Sequence, residues 1–345
     1  MITIYSLEEH EEWDSIVRSF KDCDVYWLSG YVKAFKIHGD GEPLLFYYQD
    51  DSVRGINLVM KRDIAKDKHF VGKLTEGECF DFASPYGYGG WLIEGSNSEI
   101  LFDFYSKWCQ KHSIVSEFVR FHPVIKNHEF SKNFYEVIPL GNTVVLDLSS
   151  PETIWANLTS TNRSKIRKAQ KNGIKIYNGR NPELYETFRK IYNETMDKNE
   201  ANNYYYFTSD FYSSICEDLP ENAQIFYAVF NDAIIAASIM LTANRKMNYH
   251  LSGMLKEYRS LPSTNLLLYK SALWGSANGY KTLYLGGGLG SGEDSLYKFK
   301  KSFYRLDQEK RFNIGKKTFM PEKYDELLSM RQKPTASFFP NYRAD

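Results

Sequence analysis

One order of elements occurs twice along this chain, and that repetition limits the possible folds more than any single motif. Residues 44–48, the turn Gln49-Asp50-Asp51-Ser52 and residues 53–60 read as a β-hairpin by composition and turn chemistry. Residues 223–230, the Asn231-Asp232 turn and residues 233–242 read as a second one. Helices precede each hairpin. Ser6 and Glu9 form a capping signature ahead of Trp13, Ile16, Val17 and Phe20, and residues 24–38 set Leu28, Tyr31, Val32 and Phe35 at helical spacing. In the second half a helix opens near Pro151, where a first turn tolerates proline, and others span 182–197 and 209–218. Behind each hairpin come strand, loop, helix and strand: 79–93, 99–112 and 115–122 first, then 247–254, 263–278 and 280–285. The helix at 263–278 is expected to start on a Ser or Thr cap and to end at Gly279. Residues 134–148 supply further strand.

A duplicated α/β unit with mixed sheets is the economical explanation. The 345 residues exceed one comfortable core, since domains usually hold roughly 150 residues. Two domains are expected, 1–148 and 149–345, with no Pro- or Ser-rich linker between them.

Lys+Arg 43 balance Asp+Glu 43, so any contact with a polyanion must come from a local patch. Cys23, Cys79, Cys109 and Cys216 lie far apart with no CxxC, and the scattered histidines lack metal-ligand spacing. Neither a disulfide framework nor a zinc site is supported, and a reduced, cytoplasmic protein is expected. The N-terminus lacks a basic-then-apolar leader, and the apolar run 233–241 is half a membrane span, so no transmembrane segment is expected.

The chemically richest stretch is 280–303. Five glycines fall between Gly286 and Gly292, and Phe299-Lys300-Lys301-Ser302-Phe303 follows. Glycine permits positive φ and close approach to the backbone, so a strand, a working turn and a returning cationic segment are expected. Exposed lysines beside a flexible loop have the same composition.

Three stretches together resemble the Fem-type (FemABX-like) aminoacyltransferases. They are Trp155-Ala156-Asn157-Leu158 with Asn162-Arg163-Ser164-Lys165-Ile166-Arg167-Lys168, then Tyr249-His250-Leu251-Ser252-Gly253, and finally Leu285-Gly286-Gly287 leading to Phe299-Lys300. Ser84-Pro85-Tyr86-Gly87-Tyr88-Gly89-Gly90 and Glu117-Phe118-Val119-Arg120-Phe121-His122-Pro123 look like landmarks of the same family. The resemblance covers nearly the whole chain and implies two tandem GNAT-like domains in a compact form without a coiled-coil arm. It also implies transfer of an amino acid from aminoacyl-tRNA to an amine of a UDP-linked or lipid-linked muropeptide precursor. The tRNA ester serves as co-substrate without a resident cofactor, and the inner membrane surface is a peripheral contact.

By the same resemblance Lys300 is the cation that stabilises the oxyanion formed when the amine attacks the ester. Asp81, on an aromatic wall where burial would raise its pKa, is a candidate base; a structural carboxylate in a turn fits the same residues. Tyr86, Tyr88, Tyr249 and Phe299 are candidate substrate contacts. Arg163 and Arg167 present a cationic helix face suited to phosphates, although a solvated basic helix has the same pattern. Lys198 stands where relatives place an arginine. A CoA- or carrier-dependent N-acyltransferase acting on an amino sugar is the alternative. Against it, Tyr258-Arg259-Ser260-Leu261-Pro262-Ser263-Thr264-Asn265 lacks the glycines of a pyrophosphate loop.

Overall fold

The computed structural model describes residues 2–307, 310–331 and 338–344. Its chain forms two compact units, one comprising residues up to Leu140 together with those from Phe312 onward, the other Gly141–Arg311. The expected division at residue 148 is corrected on this point. The C-terminal segment builds the first unit, because its strand pairs there and not with the second half.

The first unit contains β1 (Ile2–Tyr5), α1 (His10–Ser19), α2 (Ser29–His38), β2 (Glu42–Gln49) and β3 (Val53–Asp63), followed by β4 (Phe80–Ala83) and β5 (Leu92–Gly95). Next come α3 (Ser98–Lys111), β6 (Ile114–Phe121), α4 (His128–Ser131) and β7 (Glu136–Asn142). The second unit contains β8 (Val144–Asp147), α5 (Pro151–Asn157), α6 (Ser160–Lys171), β9 (Lys175–Gly179), α7 (Pro182–Lys198) and α8 (Ser209–Asp218). It continues with β10 (Ala223–Phe230), β11 (Ala233–Ala243), β12 (Lys246–Met254), α9 (Ser263–Ala277), β13 (Thr282–Gly286) and α10 (Ser295–Lys301). The chain then returns to the first unit as β14 (Arg311–Thr318) and α11 (Pro321–Ser329).

Both sheets are mixed and share one plan. The strand order is β1-β2-β3-β4-β6-β14-β7 in one, with β5 hydrogen-bonded to β3, and β8-β13-β12-β11-β10-β9 in the other. In each, an antiparallel run ends in one parallel pair, β4–β6 or β12–β13, joined through a helix, α3 or α9. A helical crossover is what a parallel pair requires. Next to the pair stands an antiparallel strand, β14 against β6 or β8 against β13, and in the first sheet β7 lies outside β14.

In the second unit Leu266, Leu267 and Ala272 of α9, with Ile166 and Ala169 of α6, cover Phe226, Ala236, Met240, Met247 and Leu283 of the sheet. The first core is aromatic, centred on Phe46, Phe82, Trp91, Tyr105 and Phe121. It also encloses a carboxyl. Glu117 of β6 is buried, its Oε1 accepting from Asn57 Nδ2 at 2.9 Å and its Oε2 from Tyr105 Oη at 3.1 Å and Tyr135 Oη at 2.9 Å. Desolvation pushes it up to about 7, against these hydrogen bonds and the Lys317 charge.

Unfolded, the same carboxyl titrates near 4.5. The folded state therefore keeps the proton more tightly between those two values, and stability falls as pH rises from 4.5 to about 7. The loss amounts to about 3 kcal/mol, from 1.36 kcal/mol per pKa unit. Glu117→Gln holds a neutral group at every pH, so the difference in urea midpoint between variant and wild type should grow from pH 5 to pH 8. Parallel pH profiles for the two proteins would show that ionisation of Glu117 does not limit the fold.

Among the described residues no helix is long and apolar enough to cross a membrane.

Candidate active site

Residues 282–303 of the second unit fold as strand, loop and returning helix. β13 ends at Gly286, whose φ of +79° lies in the left-handed region that glycine adopts freely. A Cβ on Gly286 would also stand 3.3 Å from Lys300 Nζ. The loop is closed by Asp294. Its Oδ2 accepts from the Leu289 N–H at 2.9 Å, and its Oδ1 caps α10 by accepting from the Tyr297 N–H at 2.8 Å. These backbone bonds, more than the neighbouring Lys300, hold the Asp294 carboxyl below its usual range.

With its first turn fixed, α10 lays Lys300 against the loop, where Nζ donates to the Gly287 carbonyl at 2.7 Å. The amine is partly buried and desolvation pushes its pKa down to about 8, opposed by the charge of Asp294. It is therefore still mostly a cation at neutral pH, yet poorly hydrated. A cation in that state gains more from an adjacent developing anion than a solvated lysine does.

The sheet opens in the same unit. β12 and β13 pair only across Lys246–Asn248 and Thr282–Tyr284, although β12 continues to Met254 and β13 to Gly286. Strands that part in this way leave backbone donors and acceptors for a ligand. Tyr249 is the first residue of β12 past the paired stretch. Burial raises its phenol, with the hydroxyls of Ser252 and Ser238 opposing. Its neighbour His250 is pushed down to about 3 by burial, so it is neutral and a weak base. Phe299 packs on the core that includes Leu285 and meets Phe303 edge-on at 5.5 Å.

The other expected contacts of this unit lie on separate helices. Arg163 and Arg167 stand on α6, whose Ile166 and Ala169 are buried; Arg163 is half-buried and Arg167 is exposed, its guanidinium 5.2 Å from the Trp155 ring centroid. Lys198 is the exposed last residue of α7. Among the described residues no hydrogen bond or ion pair joins these three to Lys300.

In the first unit Asp81 is fully buried on β4, and the expected rise in its pKa is corrected. Its Oδ1 accepts from Arg62 Nε at 2.8 Å, and its Oδ2 from Arg343 Nε at 2.6 Å and Tyr342 Oη at 3.0 Å. Desolvation would raise the carboxyl, but Arg62 and Arg343 outweigh it and the net shift is downward. A carboxylate so paired is a poor proton acceptor. Tyr86 and Tyr88 belong to a different cluster: Tyr86 stacks on Phe35 at 5.7 Å, while Tyr88 is held edge-on by Tyr26 at 5.2 Å, His122 at 4.9 Å and Phe312 at 5.8 Å. The sequence reading assigned no role to Glu117 or to Arg120, which lies against this cluster. Among the described residues no group of three or more His, Cys, Asp or Glu side chains is placed to hold a metal.

The fold is that of tandem GNAT proteins. It is similar to the crystal structure of FemX, with a TM-score of 0.69 at 14% identity over 96% of this chain and 100% of that one. It is similar to a conserved protein of unknown function from Bacteroides thetaiotaomicron, at TM-score 0.59 and 11% identity over 92% and 99% of the two chains. It is also similar to a tandem GNAT protein from the clavulanic acid biosynthesis pathway, at TM-score 0.51 and 9% identity over 93% and 99%. No curated protein matches the sequence. Residues 125–233 match the FemAB family, a segment that holds α6 and α7 but not Lys300. Together these matches show a tandem GNAT-like fold that carries a FemAB-like segment at residues 125–233.

Proposed function

We propose that this protein is an acyltransferase that moves an amino acid from aminoacyl-tRNA to an amine of a muropeptide precursor in the cytoplasm. The neutral amine attacks the ester carbonyl and forms a C–N bond. The carbonyl electron pair collects on oxygen as a tetrahedral oxyanion. Collapse breaks the bond to the tRNA 3′-oxygen, which leaves as a hydroxyl with the proton that the amine gives up. The tRNA linkage itself activates the acyl group, so no resident cofactor and no covalent enzyme intermediate are required.

The observation that carries this reading is Lys300: a desolvated cation at the Gly287 carbonyl, in the unit where β12 and β13 part. The FemAB match over 125–233 and the likeness to FemX support the choice of donor and acceptor class. Arg163, Arg167 and Lys198 are available for phosphates of either substrate. Tyr249 and Phe299 are the proposed wall of the acyl site.

The test is transfer of label by the purified full chain, from radiolabelled aminoacyl-tRNA or radiolabelled acetyl-CoA, to nucleotide-linked or lipid-linked precursor. Label is expected to move from aminoacyl-tRNA and not from acetyl-CoA. Transfer from acetyl-CoA alone would replace this reading with the CoA-dependent one.

A further inference from the structure

Three other arginines of the first unit are paired with carboxylates. Arg54 meets Glu94 at 2.6 Å, Arg62 meets Asp81 at 2.8 Å, and Arg343 meets both Asp81 at 2.6 Å and Asp67 at 2.9 Å. Arg120 on β6 is partly buried, yet among the described residues no carboxylate lies within ion-pair distance of it. A guanidinium partly withdrawn from bulk water without a counter-charge has its charge unbalanced by the protein.

Its geometry is nonetheless fixed. Arg120 Nε donates to the Gly87 carbonyl at 2.9 Å, and the guanidinium carbon sits 4.8 Å from the Phe312 ring centroid. The Arg120 backbone is held at the same place, its N–H donating to Ser84 Oγ at 3.0 Å and its carbonyl accepting from the Gly89 N–H at 2.9 Å. The loop it grips is rigid as well. Gly87 has φ +95° and a Cβ there would stand 2.6 Å from a Tyr26 ring carbon, while Tyr31 Oη donates to the Tyr86 carbonyl at 2.6 Å. The second aromatic contact of Phe312 is Tyr88. A planar fork anchored through Nε, with its terminal amino groups unspent and an aromatic ring alongside, is the arrangement that binds an oxyanion in two-point fashion.

We propose that Arg120 is an anion-binding residue of the first unit, taking a planar carboxylate or a phosphate of a ligand whose flat portion rests against Tyr88. The identity of that ligand as the muropeptide precursor rests on the proposed function, and the precursor offers both chemistries. Its diphosphate and its peptide carboxylates are distinguished by two probes: uridine diphosphate, and a nucleotide-free muropeptide.

The experiment is calorimetric titration of the full chain with each probe, in wild type, Arg120→Gln and Arg120→Lys. One of the two probes should bind wild type and weaken about ten- to a hundredfold in Arg120→Gln, the range of a charge-assisted hydrogen-bond pair. Arg120→Lys keeps the charge and a donor for the Gly87 carbonyl but loses the fork, so it should recover only part of that loss. A thermal midpoint within a few degrees of wild type identifies the loss as one of binding. Affinities unchanged by both substitutions would overturn the proposal, as would binding of neither probe to wild type. Because the titrations require no acyl donor, failure here is separate from failure of the transfer assay.

Discussion

Lys300→Met should lower kcat for aminoacyl transfer about 10²–10³-fold, the effect of removing one preorganised oxyanion donor, with KM within a few-fold of wild type. Methionine fills the same volume without a charge, and the lost lysine makes one hydrogen bond, to the Gly287 carbonyl. Removing a poorly hydrated amine is neutral or mildly stabilising, so the thermal midpoint should hold while the rate falls. The pH profile gives a second signature. With Lys300 pushed down to about 8, the cation is present below that pH and is lost as pH rises through it, so wild-type kcat should decline above pH 8. Lys300→Arg keeps its charge far beyond that point; its peak rate is lower because the fork does not fit a single-point site, but its alkaline decline should disappear. Undiminished transfer by Lys300→Met would remove the lysine from the mechanism.

Local chemistry made much of this architecture readable. Both hairpins follow from a few turn residues between alternating runs, and observed β2–β3 and β10–β11 turn where Asp50 and Asn231-Asp232 predict. Non-local pairing was invisible. β14 joins β6 across nearly two hundred residues, in a register set by its partner, so its own sequence carries no sign of the unit it completes. Residues 134–148 read as one strand because their β character is continuous, whereas the chain divides at Thr143 into β7 of one sheet and β8 of the other. The expected Ser or Thr cap of α9 is also corrected: the cap position is Pro262, and Ser263 is buried in the first turn. Lys300 could be picked out because the glycines and the Phe-Lys pair are neighbours in sequence. Its desolvation could not, since that depends on how α10 folds back on the loop.

Asp81 shows the same limit at higher energetic stakes, because one of its partners, Arg343, lies 262 residues away. Asp81→Ala should cost about 3–5 kcal/mol of stability at pH 7, the range found when one member of a buried ion pair is deleted. The substitution leaves Arg62 without a carboxylate, and Arg343 with Asp67 alone. It also takes an acceptor from Tyr342 Oη, which is buried between Asp81 and Ser116. Urea denaturation of both proteins measures the loss. The carboxyl has a folded pKa below its ordinary 3.8, so its contribution is complete above that value and disappears as pH falls through the lower folded one. The gap between wild type and Asp81→Ala should accordingly narrow in acid. A structural cross-link and a catalytic base differ in one further respect. At a temperature where Asp81→Ala remains folded, its transfer rate per folded molecule should stay within a few-fold of wild type, whereas loss of a general base would lower it about 10²–10⁴-fold. A fall of that size in the folded variant would return Asp81 to the reacting centre and make Arg62 and Arg343 its supports.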